Sequence, residues 1–399
     1  MACTAECQEF TFSASTGSPF LVSIKNTVTG PNGTFNANDG FDLYLYGPKG
    51  TLVGSQNGIG ANGEALSVST PRPGSYTIVV TFTYAYDSNA AYSGEVRLES
   101  GSTWTPAACT STTVGSTTGC FLLPQLQAVP AYDLTVSGLP PVASTPLGFP
   151  LPVPVSTSNS CYLDESLGLD SPSVGGIESP VTRCLRFTSD IQNAGSGPLE
   201  VDLPWLATGS GGASSGFVPG ECQAAQVLFQ PDGSQATRAA GACEFHPEHA
   251  HFHYRNLVSF TLYTVSNGVI GPPVGSSLKE SFCLSDDDYF GFATSAPNGP
   301  RTFVGQPGCN VPSQTTSTSV DVTEGITPGW GDVYTWDTPD QFIDISSVPA
   351  GTYALVEKTN PAGSLLVAGP AQTCAVTTLS LTASSVTQLA TQSGATCPA

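Results

Sequence analysis

Apolar and polar positions along this chain fall into short runs, and the runs have the period of strands rather than helices. Leu257-Val258-Ser259-Phe260-Thr261-Leu262-Tyr263 alternates, as a half-buried strand does. Phe10-Thr11-Phe12-Ser13, Leu21-Val22-Ser23-Ile24, Phe41-Asp42-Leu43-Tyr44-Leu45-Tyr46 and Tyr76-Thr77-Ile78-Val79-Val80-Thr81-Phe82 predict further strands toward the N-terminus. Gly47-Pro48-Lys49-Gly50 and Pro71-Arg72-Pro73-Gly74 are turn signals between them. Later, Arg183-Cys184-Leu185-Arg186-Phe187 and Leu199-Glu200-Val201-Asp202-Leu203 are joined through Asn193-Ala194-Gly195-Ser196-Gly197-Pro198. Tyr353-Ala354-Leu355-Val356-Glu357-Lys358 follows the turn Val348-Pro349-Ala350-Gly351. No long amphipathic run rich in Ala, Leu, Glu and Lys is present, so helix should be scarce. The expected fold is all-β, with two antiparallel β-sandwich domains. The first spans 1–100 and the second 161–399, including a Ser- and Thr-rich tail. Between them, 101–160 reads as a Ser/Thr/Pro-rich connector; its prolines, dense from Pro140 to Pro154, favour an extended conformation.

Composition sharpens this picture. Gly (43) and Pro (33) are abundant in the 399 residues and charged residues are only 11%, which suits a turn-rich β protein. The net charge of −20 excludes a nucleic-acid partner, which would need clustered Lys and Arg. It favours a cationic partner or substrate, or else serves solubility. The 12 cysteines contain no C-x-x-C pair, so thiolate zinc knuckles are not expected. The near neighbours Cys109/Cys120, Cys161/Cys184, Cys222/Cys243, Cys283/Cys309 and Cys374/Cys397 suggest local disulfides and an extracellular protein. No apolar run reaches the about 18 residues that span a membrane. Met1-Ala2-Cys3-Thr4-Ala5 lacks the basic start and apolar stretch of a leader, so a mature secreted form is expected.

All four histidines of the chain lie in Glu244-Phe245-His246-Pro247-Glu248-His249-Ala250-His251-Phe252-His253. On a strand, His249, His251 and His253 would present three imidazoles on one face. That donor set suits copper or zinc. A structural zinc would want a fourth ligand, which His246 could supply. Asn38, Asp39 and Asp42 are candidate calcium ligands, with a solvated loop as the alternative.

Two resemblances add to these readings. The order FDLYLYGPKGTLVGS (41–55), PRPGSYTIVV (71–80) and YSGEVRLES (92–100) resembles the prepeptidase C-terminal type of β-sandwich, which implies an accessory module. The histidine segment has the spacing H-x-x-H-x-H-x-H and resembles the copper segment of lysyl oxidases. Lys279-Glu280-Ser281-Phe282-Cys283-Leu284 is similar to that family's K-x-S-F-C-L segment, and Trp330-Gly331-Asp332-Val333-Tyr334 to the segment carrying its cofactor tyrosine. Gln341-Phe342-Ile343-Asp344-Ile345 and Val348-Pro349-Ala350-Gly351-Thr352-Tyr353 follow in the same order.

The resemblance to lysyl oxidases implies that His249, His251 and His253 hold copper(II), with His246 as the family's extra histidine. It implies that Lys279 and Tyr334 combine into lysyl tyrosylquinone. The activity implied is oxidation of a cationic primary amine, or of lysine in a protein, by molecular oxygen. Vertebrate members carry a further histidine seven residues beyond the last copper ligand, considered a catalytic base; Phe260 stands there in this chain. A carboxylate must then take the role, and Asp332 is the candidate; its other reading is a turn residue bonding its own backbone. The family's Asn-rich closing segment is absent around Pro361 to Pro370. The rival functions are a non-catalytic adhesion protein with structural zinc and a copper store or carrier.

Overall fold

The computed structural model describes residues 7–15, 20–26, 40–56, 63–68, 71–84, 91–98, 109–136, 183–206, 221–246, 251–277, 279–290, 303, 314–315, 319–336 and 341–398. All of the secondary structure in that set is strand, and every strand pairing is antiparallel, as the patterning predicts. No helix among the described residues is long and apolar enough to cross a membrane.

The N-terminal part is a sandwich. One sheet runs β1 (Cys7–Ala14), β6 (Gly74–Tyr84), β3 (Gly40–Tyr46), β4 (Leu52–Gln56); the other runs β5 (Gly63–Val68), β2 (Phe20–Asn26), β7 (Tyr92–Leu98). Alternation along β3 buries Leu43 and Leu45 completely, against Phe20, Val22 and Ile24 of β2 and Tyr76, Ile78 and Val80 of β6. The opposite face of the three-stranded sheet contributes Leu21 and Ala65 to the larger core that follows, and Arg97 donates to the Tyr289 hydroxyl at 3.3 Å.

Three further sheets share that larger core. The first runs β10 (Leu126–Ala128), β12 (Cys184–Asn193), β23 (Trp330–Tyr334), β20 (Asp288–Tyr289), with β11 (Tyr132–Val136) and β24 (Phe342–Asp344) also paired to β12. The second runs β19 (Ser281–Phe282), β16 (His251–Arg255), β15 (Gln235–His246), β14 (Glu221–Phe229), β13 (Leu199–Leu206), β22 (Ser319–Ile326), β21 (Gln314–Thr315). The third runs β18 (Val269–Ser276), β17 (Val258–Ser266), β25 (Gly351–Thr359), β26 (Cys374–Leu381), β27 (Val386–Ala395). Leu185, Phe187 and Ile191 meet Phe260, Leu262 and Leu355 in the shared interior.

Both parts use one local device. Tyr76 donates its hydroxyl to the Arg72 carbonyl at 3.0 Å, and Tyr353 donates to the Pro349 carbonyl at 2.8 Å. In each, a glycine two residues before the tyrosine starts the strand, so the phenol pins the corner that feeds it, the logic of a tyrosine corner. The turn after β12 is pinned by Asn193, which is fully buried. Its Oδ1 accepts from Gln125 N–H and Gly195 N–H, and its Nδ2 donates to the Gly197 and Ile326 carbonyls. A Cβ on Gly195 would collide with the backbone of Leu123 to Gln125, which explains the glycine.

The stretch expected to be a connector carries structure. β8 (Thr110–Val114) and β9 (Thr117–Phe121) form a hairpin tied by Cys109–Cys120, and β10 and β11 pair with β12. Leu126, Ala128, Tyr132 and Val136 are buried there, which is why this part docks rather than spans. The proline-dense 137–154 lies outside the described residues. Cys222–Cys243 and Cys374–Cys397 are bonded as their spacing suggests. Cys184 and Cys283 are also in disulfides, with partners outside the described residues. The Ser- and Thr-rich tail, tied by Cys374–Cys397, forms β26 and β27.

Candidate metal and cofactor site

The histidine segment is a hairpin rather than one strand. β15 ends at His246 and β16 begins at His251; 247–250, with His249, lie outside the described residues. His246 pairs with His251 and Glu244 with His253, with the Phe245↔Phe252 pair between them. Phe252 and Tyr254, at the alternate positions of β16, enter the core and hold the hairpin down. The Cys222–Cys243 disulfide ties β15 to β14 immediately beside it. Among the described residues, no group of three His, Cys, Asp or Glu side chains is placed to hold a metal.

His253 is 3% exposed, and its Nδ1 lies 3.0 Å from the Ser281 hydroxyl. Ser281 belongs to β19, which pairs with β16 through Tyr254↔Phe282 and Arg255↔Ser281. Glu244 is fully buried, with Arg255 Nη1 3.9 Å from its Oε2; Arg255 also donates to Glu280 at 2.7 Å.

Three predicted residues converge on this short strand. Lys279, only 2% exposed, sets its Nζ 5.0 Å from the Tyr334 ring centroid and 5.5 Å from that of Phe282. Both distances lie in the range where an aromatic face attracts an ammonium. The Phe282 and Tyr334 rings meet edge to face at 5.1 Å. The Tyr334 hydroxyl donates to the Cys283 carbonyl at 2.8 Å and accepts from the Cys283 N–H at 2.6 Å. Ser281 to Cys283 therefore touches the histidine, the lysine and the tyrosine at successive positions. Ser281 and Phe282 were not singled out as site residues, although both lie inside the K-x-S-F-C-L resemblance.

Asp332 is not a turn residue. It lies within β23 opposite Ile191, is 1% exposed, and shares the strand's alternation with Tyr334. Its carboxyl lies beside Asp287 and the Ser285 backbone, in regular hydrogen-bond geometry with neither. Burial pushes Asp332 well above the usual carboxylate range, and the neighbouring Asp287 and Glu324 add to it. Burial likewise raises the Tyr334 phenol; Asp332, Asp287 and Glu324 reinforce this, and the Cys283 N–H opposes it. Glu324 is buried and accepts from the Leu284 N–H at 3.1 Å.

Phe260 is 1% exposed, packed between Phe187 at 4.9 Å and Phe282 at 6.3 Å. At the calcium candidates, Asn38 and Asp39 lie outside the described residues, and Asp42 accepts from Tyr44 and Thr81 hydroxyls at 3.4 and 3.3 Å.

An all-β, disulfide-bonded chain with a buried lysine over a tyrosine beside a histidine hairpin is the class of protein these features define. The chain is 28% identical over 118 residues to lysyl oxidase homolog 1 of Homo sapiens, covering 30% of this chain and 17% of that protein. Lysyl oxidase homolog 1 of Bos taurus matches over the same length at 28%, with 16% of it covered. The chain thus spans about one sixth of the length of the curated relatives it matches. No protein-family model matches. A solved glycoside hydrolase family 32 structure from Bifidobacterium adolescentis is matched over 96% of this chain and 67% of its own, at 9% identity and a TM-score of 0.15.

Proposed function

We propose that this chain is a secreted copper-dependent amine oxidase of the lysyl oxidase type. It would convert a primary amine, water and oxygen into an aldehyde, ammonia and hydrogen peroxide. The observation that carries this reading is the buried Lys279 ammonium 5.0 Å from the Tyr334 ring centroid, two residues before the short strand that contacts His253. A buried lysine is uncommon without a specific task or partner. The partial similarity to lysyl oxidase homolog 1 and the ordered motifs point the same way. In this reading the N-terminal sandwich is an accessory module to a catalytic part that includes all three larger sheets.

The donor chemistry fits the groups implied. His246, His249, His251 and His253 are borderline nitrogen donors. With Nδ1 of His253 engaged by Ser281, Nε2 is the nitrogen a metal would take, and the hydroxyl would hold the ring's orientation. Lys279 and Tyr334 would form the organic cofactor. Bound copper would supply the redox chemistry for making the quinone, with molecular oxygen as oxidant, and the quinone would supply an electrophilic carbonyl for the amine.

The chain's own residues do the rest. Phe282 helps to hold the Lys279 amine over the Tyr334 ring. The Cys283 backbone donates to and accepts from the phenolic oxygen and fixes where the hydroxyl end of the ring sits. Asp332, on the tyrosine's side of β23, is the group to take a proton from the substrate carbon. Burial raises its pKa, and an arriving cationic amine would lower it and favour the base form.

Peptide mapping after exposure to copper and oxygen tests this reading. A cross-linked peptide joining Lys279 to Tyr334 is expected. A fully metal-loaded protein whose two peptides stay separate overturns it, and bound zinc with no cross-link would favour the structural-metal alternative.

A further inference from the structure

A base buried as deeply as Asp332 needs a way to pass its proton to water. The titratable groups facing it are Asp287, from the segment between β19 and β20, Glu324 of β22 and, on its own strand, Tyr334, with the Lys279 cation over the Tyr334 ring. Glu324 is buried like Asp332 itself, and its Oε2 accepts from the Leu284 N–H. Asp287 is only half-buried. Its N–H donates to the Gly331 carbonyl at 2.8 Å, and its Oδ2 accepts from the Val333 N–H at 3.3 Å. Gly331 and Val333 are the two residues that flank Asp332, so these bonds clasp Asp287 alongside it. The Ser285 hydroxyl lies 3.0 Å from both Asp287 oxygens. Donors on a carboxylate favour its ionised form. The Asp332 oxygens accept no bond in regular geometry, so a proton shared between the two acids favours Asp332.

We propose that Asp287 is the proton outlet of Asp332 during amine oxidation, a positioning residue that acts through that base. The inference rests on the oxidase reading above. As the substrate C–H bond breaks, its electron pair goes to the organic cofactor and later to oxygen, and the proton forms an O–H bond on Asp332. That O–H bond then breaks as the proton passes to Asp287, and from Asp287 to water. Asp332 is left ionised for the next substrate. Of the carboxyls facing Asp332, Asp287 alone combines contact with that group and exposure to solvent.

The same contact has an electrostatic consequence. Burial is the largest cause of the raised pKa of Asp332, and the Asp287 charge is the next. Neutralising Asp287 therefore moves the titration of Asp332 to lower pH, while loss of the outlet lowers the maximal rate. A residue that only held the fold together would not produce both effects.

Steady-state oxidation of n-butylamine by the copper-loaded full chain tests the proposal, with quinone counted by phenylhydrazine titration. Asp287→Asn should form quinone as the parent does, and its kcat should fall about 10- to 100-fold, the lower end of what a positioned proton transfer is worth. Sodium acetate, compared with sodium chloride at equal ionic strength, should restore most of that loss and leave the parent unchanged, because a mobile carboxylate can collect the proton. Asp287→Glu, which keeps a carboxylate, should recover most of the rate without acetate. In an Asp332→Asn background, Asp287→Asn should cost nothing further, since both residues serve one path. A readout free of turnover is carboxyl carbon NMR of the metal-free protein, where Asp332 should titrate at lower pH in Asp287→Asn than in the parent. Ser285→Ala, at a half-buried position, keeps the test open should Asp287→Asn misfold; it should lower kcat about threefold, the scale of one hydrogen bond, and make the rate respond to acetate. Quinone-bearing Asp287→Asn at the parent rate, a loss that acetate does not restore, an equal loss in the Asp332→Asn background or an unmoved Asp332 titration overturns the outlet and leaves the oxidase reading standing. A copper-loaded parent without quinone overturns the oxidase reading and the outlet with it.

Discussion

The two faces of β23 bury acid in different company. On one, Asp332 shares the strand's alternation with Tyr334, whose ring has the Lys279 ammonium at 5.0 Å. On the other, Asp190 and Asp288 flank Gly331, and the strongest opposition to Asp190's raised pKa is a neutral amide, Gln192. Burial is the main cause that raises both Asp332 and Asp190 above the usual carboxylate range. The first has a cation of the chain's own on its side of the strand, placed against the ring. The second faces a cavity that Lys25 also lines. An acid buried beside chemistry and an acid buried beside an empty space make different demands, and the demands can be separated by substitution.

The largest effect is expected on the first face. Tyr334→Phe and Lys279→Ala should each abolish quinone absorbance and amine oxidation while copper content, read by metal analysis, stays near the parent's. Amine oxidation retained in Tyr334→Phe would break the assignment of that face to catalysis. Next is Asp332→Asn, which should still form the cofactor but lose about 10² to 10⁴ in kcat, the usual worth of a positioned base. Because Asp332 is raised by burial, the parent's rate should climb with pH as the carboxyl ionises, and Asp332→Asn should lose that climb. A pH profile unchanged by the substitution would make Asp332 a packing residue.

How far these faces are legible in the sequence differs sharply. β3 and β17 follow from strict alternation, and the K-x-S-F-C-L resemblance leads directly to Lys279 and the strand that contacts His253. The histidines alternate as one strand would, yet Pro247 falls within 247–250, between two paired strands, so the same spacing serves a hairpin. β10 and β11 hide inside a Ser/Thr/Pro-rich stretch, because Leu126 to Val136 is too short and too interrupted to stand out until β12 offers it a partner. The back face is hardest to read. Asp190 falls where alternation predicts a solvated position, and Ser285-Asp286-Asp287-Asp288 looks like an exposed acidic turn. Yet Asp286 is fully buried, bonded to the Thr327 N–H and hydroxyl, each at 2.7 Å. The partners that make such burial tolerable lie 17 residues away at Phe303 and 41 away at Thr327, and no local pattern carries them.

Gly331→Ala sharpens the comparison from the back. The added methyl meets Asp190 Oδ1 and leaves Tyr334 on the other face untouched. Overpacking of this kind costs about 1–3 kcal/mol. Thermal unfolding should register that as a loss of about 2–4 °C per kcal/mol. A variant as stable as the parent would mean that the carboxylate can move aside and that the back face is not tightly built.

The smallest effect, and the most specific, is on the pH dependence of stability. A carboxyl whose folded pKa is raised binds more protons in the folded state than in the unfolded chain, so stability falls as pH rises above the unfolded value of about 4. The loss continues until the folded pKa is passed. Asp190, Asp332, Glu324 and Glu357 are all raised mainly by burial, and Glu200 is raised to about 7 by burial and Asp202. The metal-free protein should therefore melt at a higher temperature at pH 5 than at pH 8, the opposite of a protein stabilised by ionised acid pairs. Asp190→Asn removes one contributor, leaves the others, and should flatten the slope by only about 1–3 °C over that window. If Asp190→Asn leaves the slope unchanged, Asp190 takes up no extra proton on folding, and the pH dependence belongs to the other buried acids.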